Sequence, residues 1–298
     1  MAQNINKDKL VPYERKWAGT NKIRAVLALT HPTAVIIFSL MVWLVAFLAL
    51  HRLPDLTISI YLILAMAMAQ ASIGMFNEVF DWKLDKKTKP WRAIPAGYIS
   101  PCCAAVIASV LFCLAMIFAS RLSLLSAFLL FLGTGMGIAY SAIMKPTVFS
   151  WLPYVIDYPA LPIWVWISIG RFGPHDLTIL IVAAPLALAI HLCNQLRDYD
   201  EDDAMGINGV VQHLGKAHSI SICYALLILT PIPLLISMIT LGRGIQILVW
   251  TLSAAIHWTL ILSHFFRYHK SPSPEGFRDL FRRLQITSPL LLIGWLYR

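Results

Sequence analysis

Apolar runs long enough to cross a bilayer recur along the whole chain and alternate with short polar segments. A transmembrane helix needs about 20 consecutive, mostly apolar residues. Nine runs have this character, at roughly 31–50, 57–81, 101–119, 123–143, 150–170, 177–197, 218–240, 244–265 and 280–297. The pattern predicts an all-α, polytopic membrane protein with nine transmembrane helices in a single bundle.

The composition supports this class. Of the 298 residues, 58% are hydrophobic and only 13% are charged, whereas soluble proteins average about 25% charged residues. No stretch between the runs is long enough for a water-soluble domain, so the chain is expected to be one domain, residues 1–298, embedded in membrane lipid. Residues 1–25 form a polar N-terminal segment.

The basic residues indicate how the bundle is oriented. Nine helices with a cytoplasmic N-terminus place 19 of the 24 Lys and Arg residues on the cytoplasmic side, as the excess of positive charge in cytoplasmic loops requires. This distribution also explains the net charge of +9, so we expect no nucleic-acid partner.

The most informative polar residues lie at the end of the second apolar run. Asn77, Asp81 and Asp85 are spaced four residues apart, which places them on one helix face with a drift of about 40° per step. A second copy of the spacing, Asn194, Asp198 and Asp202, ends the sixth run.

Eight of the 15 acidic residues fall in these two motifs, and both motifs are predicted on the cytoplasmic side. Clustered carboxylates repel one another unless a cation joins them, and Mg²⁺ is usually held by one or two carboxylates together with phosphate oxygens. Two opposed faces therefore predict a site for Mg²⁺ and a diphosphate. The metal ligands would be Asp81, Asp85, Asp198 and Asp202, with Asn77 and Asn194 one turn deeper as donors.

A diphosphate also needs cations besides the metal. Four basic residues are predicted at the same membrane face and are candidates to bind it: Lys83, Arg92, Lys145 and Arg197. The alternative role for each of them is to set the orientation of the chain.

These motifs resemble those of the UbiA superfamily of intramembrane prenyltransferases. The segment 77–85 and its continuation 89–97 are similar to the family's N-D-x-x-D-x-x-x-D and P-x-R-P-I-x-S-G phrases. The segment 194–206 is similar to its N-x-x-x-D-x-x-x-D-x-x-x-G pattern. Tyr140 and Lys145 match the Tyr and Lys that follow the fourth helix in the family.

The resemblance implies a bundle with a central cavity that opens sideways to lipid, and a Mg²⁺-dependent reaction at its cytoplasmic mouth. A polyprenyl diphosphate would lose its diphosphate there, and the allylic cation would alkylate an aromatic or lipid acceptor. The alternative within the same superfamily is a terpene cyclase, in which the cation reacts with double bonds of its own chain.

The chain departs from the family pattern at a few positions. Glu78 replaces the usual Asp, His31 stands where many members have Arg before Pro, and Gly209 replaces a usual Thr. Tyr140 and Lys145 are one residue further apart than in members with Y-x-x-x-K. None of these departures removes a carboxylate of the predicted metal site.

Asp157 is a further departure, because it lies in the middle of the fifth apolar run with aromatic residues around it. An acid inside a membrane helix is a functional candidate by default, so Asp157 joins Tyr140 and the motif acids as a candidate catalytic residue. The alternatives are that the aromatic residues serve packing and an interface belt, and that Asp157 is structurally paired, for example with a neighbour on the fifth helix or with His191.

Overall fold

The structure is a computed structural model that describes residues 22–204, 206–241 and 244–296. All regular structure in these residues is helical. Twelve α-helices occur: α1 (Lys22–Leu29), α2 (Pro32–Leu50), α3 (Leu56–Thr88), α4 (Pro101–Ser120), α5 (Leu124–Ala139), α6 (Leu152–Ser168), α7 (Thr178–Ala204), α8 (Val210–Leu214), α9 (Lys216–Leu229), α10 (Pro231–Leu241), α11 (Gly244–Tyr268) and α12 (Pro274–Leu296). Of the polar segment predicted at residues 1–25, the part up to residue 21 lies outside the described residues.

Each of the nine predicted apolar runs coincides with one helix or with two consecutive helices. Seven of the described helical stretches are long and apolar enough to cross a membrane. The runs predicted at 150–170 and 280–297 form α6 and α12, which are not among these seven. The all-α membrane fold is thus confirmed, and the number of nine crossings stays a prediction.

The helices close into a ring. Following the chain, α2 to α7 each pack against the next helix, α7 packs against α9 and α12, and α12 returns to contact α2. Of the seven spans, the one that contains α7 is the most deeply buried. The second acidic motif therefore sits on a helix surrounded by other helices.

Small side chains allow α3 and α4 to pack closely. The buried residues of α4 are all alanines, Ala104, Ala108, Ala115 and Ala119, and α3 presents Ser72, whose Oγ donates to the carbonyl oxygen of Ala108 at 2.9 Å. Small residues spaced along one face let membrane helices approach closely. The close contact fixes α3, the helix that carries the first acidic motif.

Helix starts follow local capping rules. Ser100 precedes Pro101, and its hydroxyl accepts a hydrogen bond from the backbone N–H of Cys103; Ser123 caps α5 in the same way. A serine cap satisfies one free N–H of the first turn, and proline fits the first helical position.

Helix α6 differs from the others in its proline content. Pro159 and Pro162 lie inside it, and Pro153 is in its first turn. An internal proline removes the hydrogen bond to the carbonyl four residues earlier, so the carbonyls of Val155 and Tyr158 lack their helical partners.

A cavity of about 640 Å³ lies between α2, α3, α5 and α6. It extends from the level of Asn77 and Tyr140 to the level of Trp164, and most of its lining is apolar. This is the cavity that the family resemblance implies.

Candidate active site

Lys145 is held beside the first acidic motif by an unusual turn at the end of α5. Residues Tyr140–Met144 form a π-helical turn, in which the N–H of Lys145 bonds to the carbonyl of Tyr140 at 2.8 Å. A π turn contains one residue more than an α turn, and such turns are frequent at functional sites. It therefore absorbs the extra residue between Tyr140 and Lys145. The Nζ atom of Lys145 donates to Oδ2 of Asp81 at 3.0 Å.

Arg92 is fixed between two acids of α3. Its NH1 atom lies 2.7 Å from Oδ2 of Asp85 and 2.9 Å from Oε1 of Glu78. Both carboxylates are nearly inaccessible to solvent, whereas the Arg92 side chain remains 28% exposed. Asp85 thus faces Arg92, and part of the Arg92 side chain stays accessible.

Glu78 also reaches the start of α2. Its Oε1 atom lies 3.0 Å from Nε2 of His31, a residue with left-handed backbone angles at the corner between α1 and α2. This corner approaches α3 closely at Gly74, where a Cβ would lie 2.9 Å from Cδ2 of His31 and 3.1 Å from the backbone of Thr30. The two departures from the family pattern, His31 and Glu78, are therefore direct partners.

The second motif has its own cation. Arg197 forms two hydrogen bonds with Asp198, of 2.6 Å and 3.1 Å, and its guanidinium stacks over the ring of Phe281 on α12 at 5.6 Å. The Asp198 side chain remains 31% exposed, so it keeps accessible surface although it is paired with Arg197.

The two motifs face one another across the end of α5. Lys145, paired with Asp81 of the first motif, also interacts electrostatically with Asp202 of the second. Tyr140 interacts electrostatically with both of these acids. The sequence-based expectation that the acidic faces oppose each other is consistent with this arrangement.

The two asparagines lie deeper on either side of a tyrosine pair. Asn77 donates to the hydroxyl of Ser141 at 3.1 Å, and Asn194 lies 3.5 Å from the hydroxyl of Tyr154. The ring of Tyr154 meets that of Tyr140 edge to face, with centroids 5.5 Å apart. Asn77 and Tyr140 line the cavity, so the acidic mouth leads directly into the apolar space.

Two of the predicted residues lie apart from this mouth. Lys83 is exposed, and its Nζ atom lies 6.0 Å from the centre of the Trp82 ring, because it is on a different face of α3 from Asp81. Asp157 lines the cavity. No hydrogen bond or ion pair joins it to His191, whose Nε2 atom instead lies 3.2 Å from Oγ of Ser150.

The donor set can be compared with what Mg²⁺ requires. Among the described residues, no three acidic, histidine or cysteine side chains converge to form a complete metal site. Mg²⁺ does not need such a cage when substrate phosphates and waters complete its octahedron. The half-exposed carboxylates of Asp81, Asp198 and Asp202 fit this mode of binding, whereas Asp85 is buried and engaged by Arg92.

Ser150 anchors the loop after the second motif, and the sequence analysis missed it. The buried Ser150 hydroxyl meets His191, the side-chain amide of Gln195 and the backbone N–H of Val210, each at 3.2–3.3 Å. A Cβ at Gly209 would meet the side-chain amide of Gln195, so a threonine at this position would require that amide to move. No motif identifies such a contact before the fold is known.

Comparison with known proteins supports the family that the motifs indicate. The model of the UbiA prenyltransferase family matches residues 35–284. The chain belongs to this family. Digeranylgeranylglyceryl phosphate synthase of Thermococcus kodakarensis is 24% identical over 182 residues, which are 61% of this chain and 63% of that protein.

Solved structures share the UbiA fold. A structure described as giving insights into digeranylgeranylglyceryl phosphate synthase in membranes superposes with a TM-score of 0.73 at 16% identity, covering 93% of this chain and 98% of the other. A UbiA homologue from Archaeoglobus fulgidus bound to GPP and Mg²⁺ gives 0.68 at 16% identity, covering 92% and 99%. At these identities the likeness establishes the fold alone.

Proposed function

We propose that this protein is a Mg²⁺-dependent intramembrane prenyltransferase that ionises a polyprenyl diphosphate and transfers the prenyl group to an aromatic or lipid acceptor. The observation that carries the proposal is the position of Lys145. It pairs with Asp81 of one motif and interacts with Asp202 of the other at the mouth of an apolar cavity. The Archaeoglobus fulgidus homologue bound to GPP and Mg²⁺ supports the same ligands.

The residues at the mouth would hold the diphosphate. Asp81, Asp198 and Asp202 would ligate Mg²⁺, which when bound neutralises the diphosphate and makes it a better leaving group. Asp85 remains a candidate ligand, although its contact with Arg92 better fits a positioning role.

Three cations would contact the phosphate oxygens: Arg92, Lys145 and Arg197. Each is already paired with an acid and partly exposed, so it is oriented without being enclosed. Asn77 and Asn194 would donate from below. Lys83 does not fit this role because its side chain faces away from Asp81.

The reaction would then begin with cleavage of the bond between the first prenyl carbon and the diphosphate oxygen. The electron pair leaves with the diphosphate, and the allylic cation remains at the top of the cavity beside the rings of Tyr140 and Tyr154. Aromatic faces stabilise cations by about 0.5–2 kcal/mol. The apolar lining would hold the prenyl chain and exclude water until an electron-rich carbon or a hydroxyl of the acceptor attacks the cation. The proton that the acceptor then loses would leave with the diphosphate.

A terpene cyclase is the second candidate function. It is favoured by Asp157 and by the aromatic residues Phe38, Tyr158 and Trp164, which line the same cavity as the expected prenyl chain. In this case a double bond of the same chain attacks the cation, and no acceptor is needed.

One experiment addresses both candidates. Purified protein receives prenyl diphosphates and Mg²⁺ with and without acceptors, and diphosphate release and lipid products are measured. Asp81→Asn and Asp198→Asn should abolish diphosphate release, whereas Asp55→Asn, in an exposed loop, should not. Equal release by all three variants contradicts the proposed site, and a cyclic product formed without acceptor decides for the cyclase.

We further infer that residues 1–298 act as a single domain with the N-terminus and the mouth of the cavity on the cytoplasmic side. The distribution of Lys and Arg supports this orientation. Labelling of cysteines introduced at Lys86 and Arg171 from either side of a sealed vesicle would measure it.

A further inference from the structure

A second group of polar residues lines the cavity, well below the acidic mouth. It consists of Gln70 on α3, Thr134 on α5 and Asp157 on α6. None of the three belongs to the acidic motifs, and a pure hydrocarbon chain offers none of them a partner.

The three residues lie at the same depth. Helices α3 and α5 run in the same direction and pair Asn77 with Ser141. Gln70 and Thr134 each precede these residues by seven positions, which is about 10 Å along a helix. Asp157, on the antiparallel α6, lies at the same level, as its contact with α5 shows: its Oδ1 atom is 3.8 Å from the point where a Cβ at Gly133 would lie.

The hydrogen-bonding capacity of the group is largely unused. Thr134 is only 2% exposed, and its hydroxyl has no partner among the described residues. For Asp157 no hydrogen bond or ion pair is found in the described part of the chain, and the Gln70 amide has only a weak contact with the sulfur of Met66 at 3.7 Å. Buried polar groups without partners cost free energy, so a ligand that satisfies them would be favoured here.

The chemistry of the group matches a hydroxyl. A carboxylate accepts a hydrogen bond, whereas an amide and a threonine hydroxyl can each donate one. A single hydroxyl group both donates and accepts, so it can pair with Asp157 and with Gln70 or Thr134 together. A carbocation would be matched by the carboxylate and the nearby rings, but it would leave the amide and the hydroxyl unpaired.

We propose that Gln70, Thr134 and Asp157 form a subsite that binds the hydroxyl group of an otherwise apolar second substrate entering the cavity from the lipid. This rests on the proposed function for its purpose, since it names the acceptor as a membrane-soluble alcohol or phenol; the bound hydroxyl positions that acceptor and is not the atom that attacks the cation, which forms at the top of the cavity. The rings of Phe38 and Tyr158, in edge-to-face contact at 6.1 Å, lie on the same cavity wall and provide its apolar contacts.

The test compares ligands that differ only in the hydroxyl. The probes are para-nonylphenol and dodecanol, each paired with its methyl ether, and their dissociation constants are measured by titration calorimetry at a fixed detergent concentration. No Mg²⁺ or prenyl diphosphate is present, so the result does not depend on the acidic mouth. The wild-type protein should bind at least one hydroxyl compound roughly tenfold more tightly than its ether, the loss expected for a hydrogen bond to a charged group.

Variants assign this preference to the subsite. Asp157→Leu and the nearly isosteric Thr134→Val should reduce the ratio of hydroxyl to ether affinity toward one, while Asp55→Leu, at an exposed position, should keep it. The phenol and dodecanol pairs distinguish an aromatic from an aliphatic source of the hydroxyl. A wild-type ratio near one, or a ratio that Asp157→Leu leaves intact, overturns the subsite. The subsite is also overturned if the protein shows no hydroxyl preference and Asp157→Leu changes the cyclic products formed from a prenyl diphosphate. Asp157 would then be assigned to the stabilisation of a cation.

Discussion

Arg and Asp are the residues usual in the family at the positions of His31 and Glu78. Introducing them singly and together tests whether the two departures compensate each other. Glutamate is longer than aspartate by one methylene, about 1.5 Å of reach at most, and arginine is longer than histidine. In Glu78→Asp the carboxylate can no longer lie within 3.0 Å of His31 and 2.9 Å of Arg92 at once. The additional His31→Arg change should restore the contact from the other side.

The expected magnitude follows from the burial of the two partners. A hydrogen bond to a charged group contributes about 1.5–3 kcal/mol when it is protected. The Glu78 side chain is 6% exposed, but that of His31 is 41% exposed, so solvent reduces the contribution to about 1 kcal/mol. Each single change should therefore lower the free energy of unfolding, and the double change should recover about 1 kcal/mol of the summed loss.

Unfolding followed by circular dichroism in mixed micelles measures all four proteins of this double-mutant cycle. Gly135→Ala, at a position where a Cβ would meet nothing within 4 Å, serves as a control for the general effect of substitution. Independent sites add within about 0.3–0.5 kcal/mol. Additivity within that range would refute the reasoning, because it would mean that the contact between His31 and Glu78 carries no stability.

Further expectations concern single positions. Gly74→Ala should destabilise the protein by about 1–3 kcal/mol, measured by thermal unfolding, since its Cβ would press on His31 and the Thr30 backbone; an unchanged midpoint would contradict the close approach. Deleting Ile143 should convert the π turn into an α turn and keep prenyl diphosphate turnover. Deleting Leu132, which lies in regular helix, should abolish this turnover. An equal loss of turnover in both variants would argue that the π turn does not absorb the extra residue. Ser150→Ala should cost about 1–3 kcal/mol and increase proteolysis of the loop after the second motif, and wild-type protease resistance would count against its anchoring role.

The sequence alone predicts the helices well. Apolar length is a direct consequence of bilayer thickness, so the runs correspond to helices with small differences at the ends. The exceptions are α12, which already begins at Pro274, and α3 and α7, which continue to Thr88 and Ala204. There the motif residues are themselves helical, and hydropathy does not register a helix that extends into water.

Contacts between distant residues were not predictable. The motif spacing places Asp85 with Asp81, but Arg92, which also contacts Glu78, holds Asp85 in a buried ion pair. Likewise, the π turn and the alignment of Gln70 with Thr134 depend on how α3 and α5 pack. A period of four residues defines a face of one helix and contains no information about which side chain of another helix meets it.

The prolines of α6 affect how this helix responds to load. Two of its backbone hydrogen bonds are missing around Asp157, while its N-terminal end is held through contacts of Tyr154 with Tyr140 and Asn194. The other end of α6 is held as well, because Trp164 donates to the carbonyl oxygen of Ser126 at 3.0 Å. A helix that is held at both ends and lacks hydrogen bonds near its middle is expected to bend at that middle, so a bulkier ligand would move the cavity wall near Asp157 more than the groups around Tyr154.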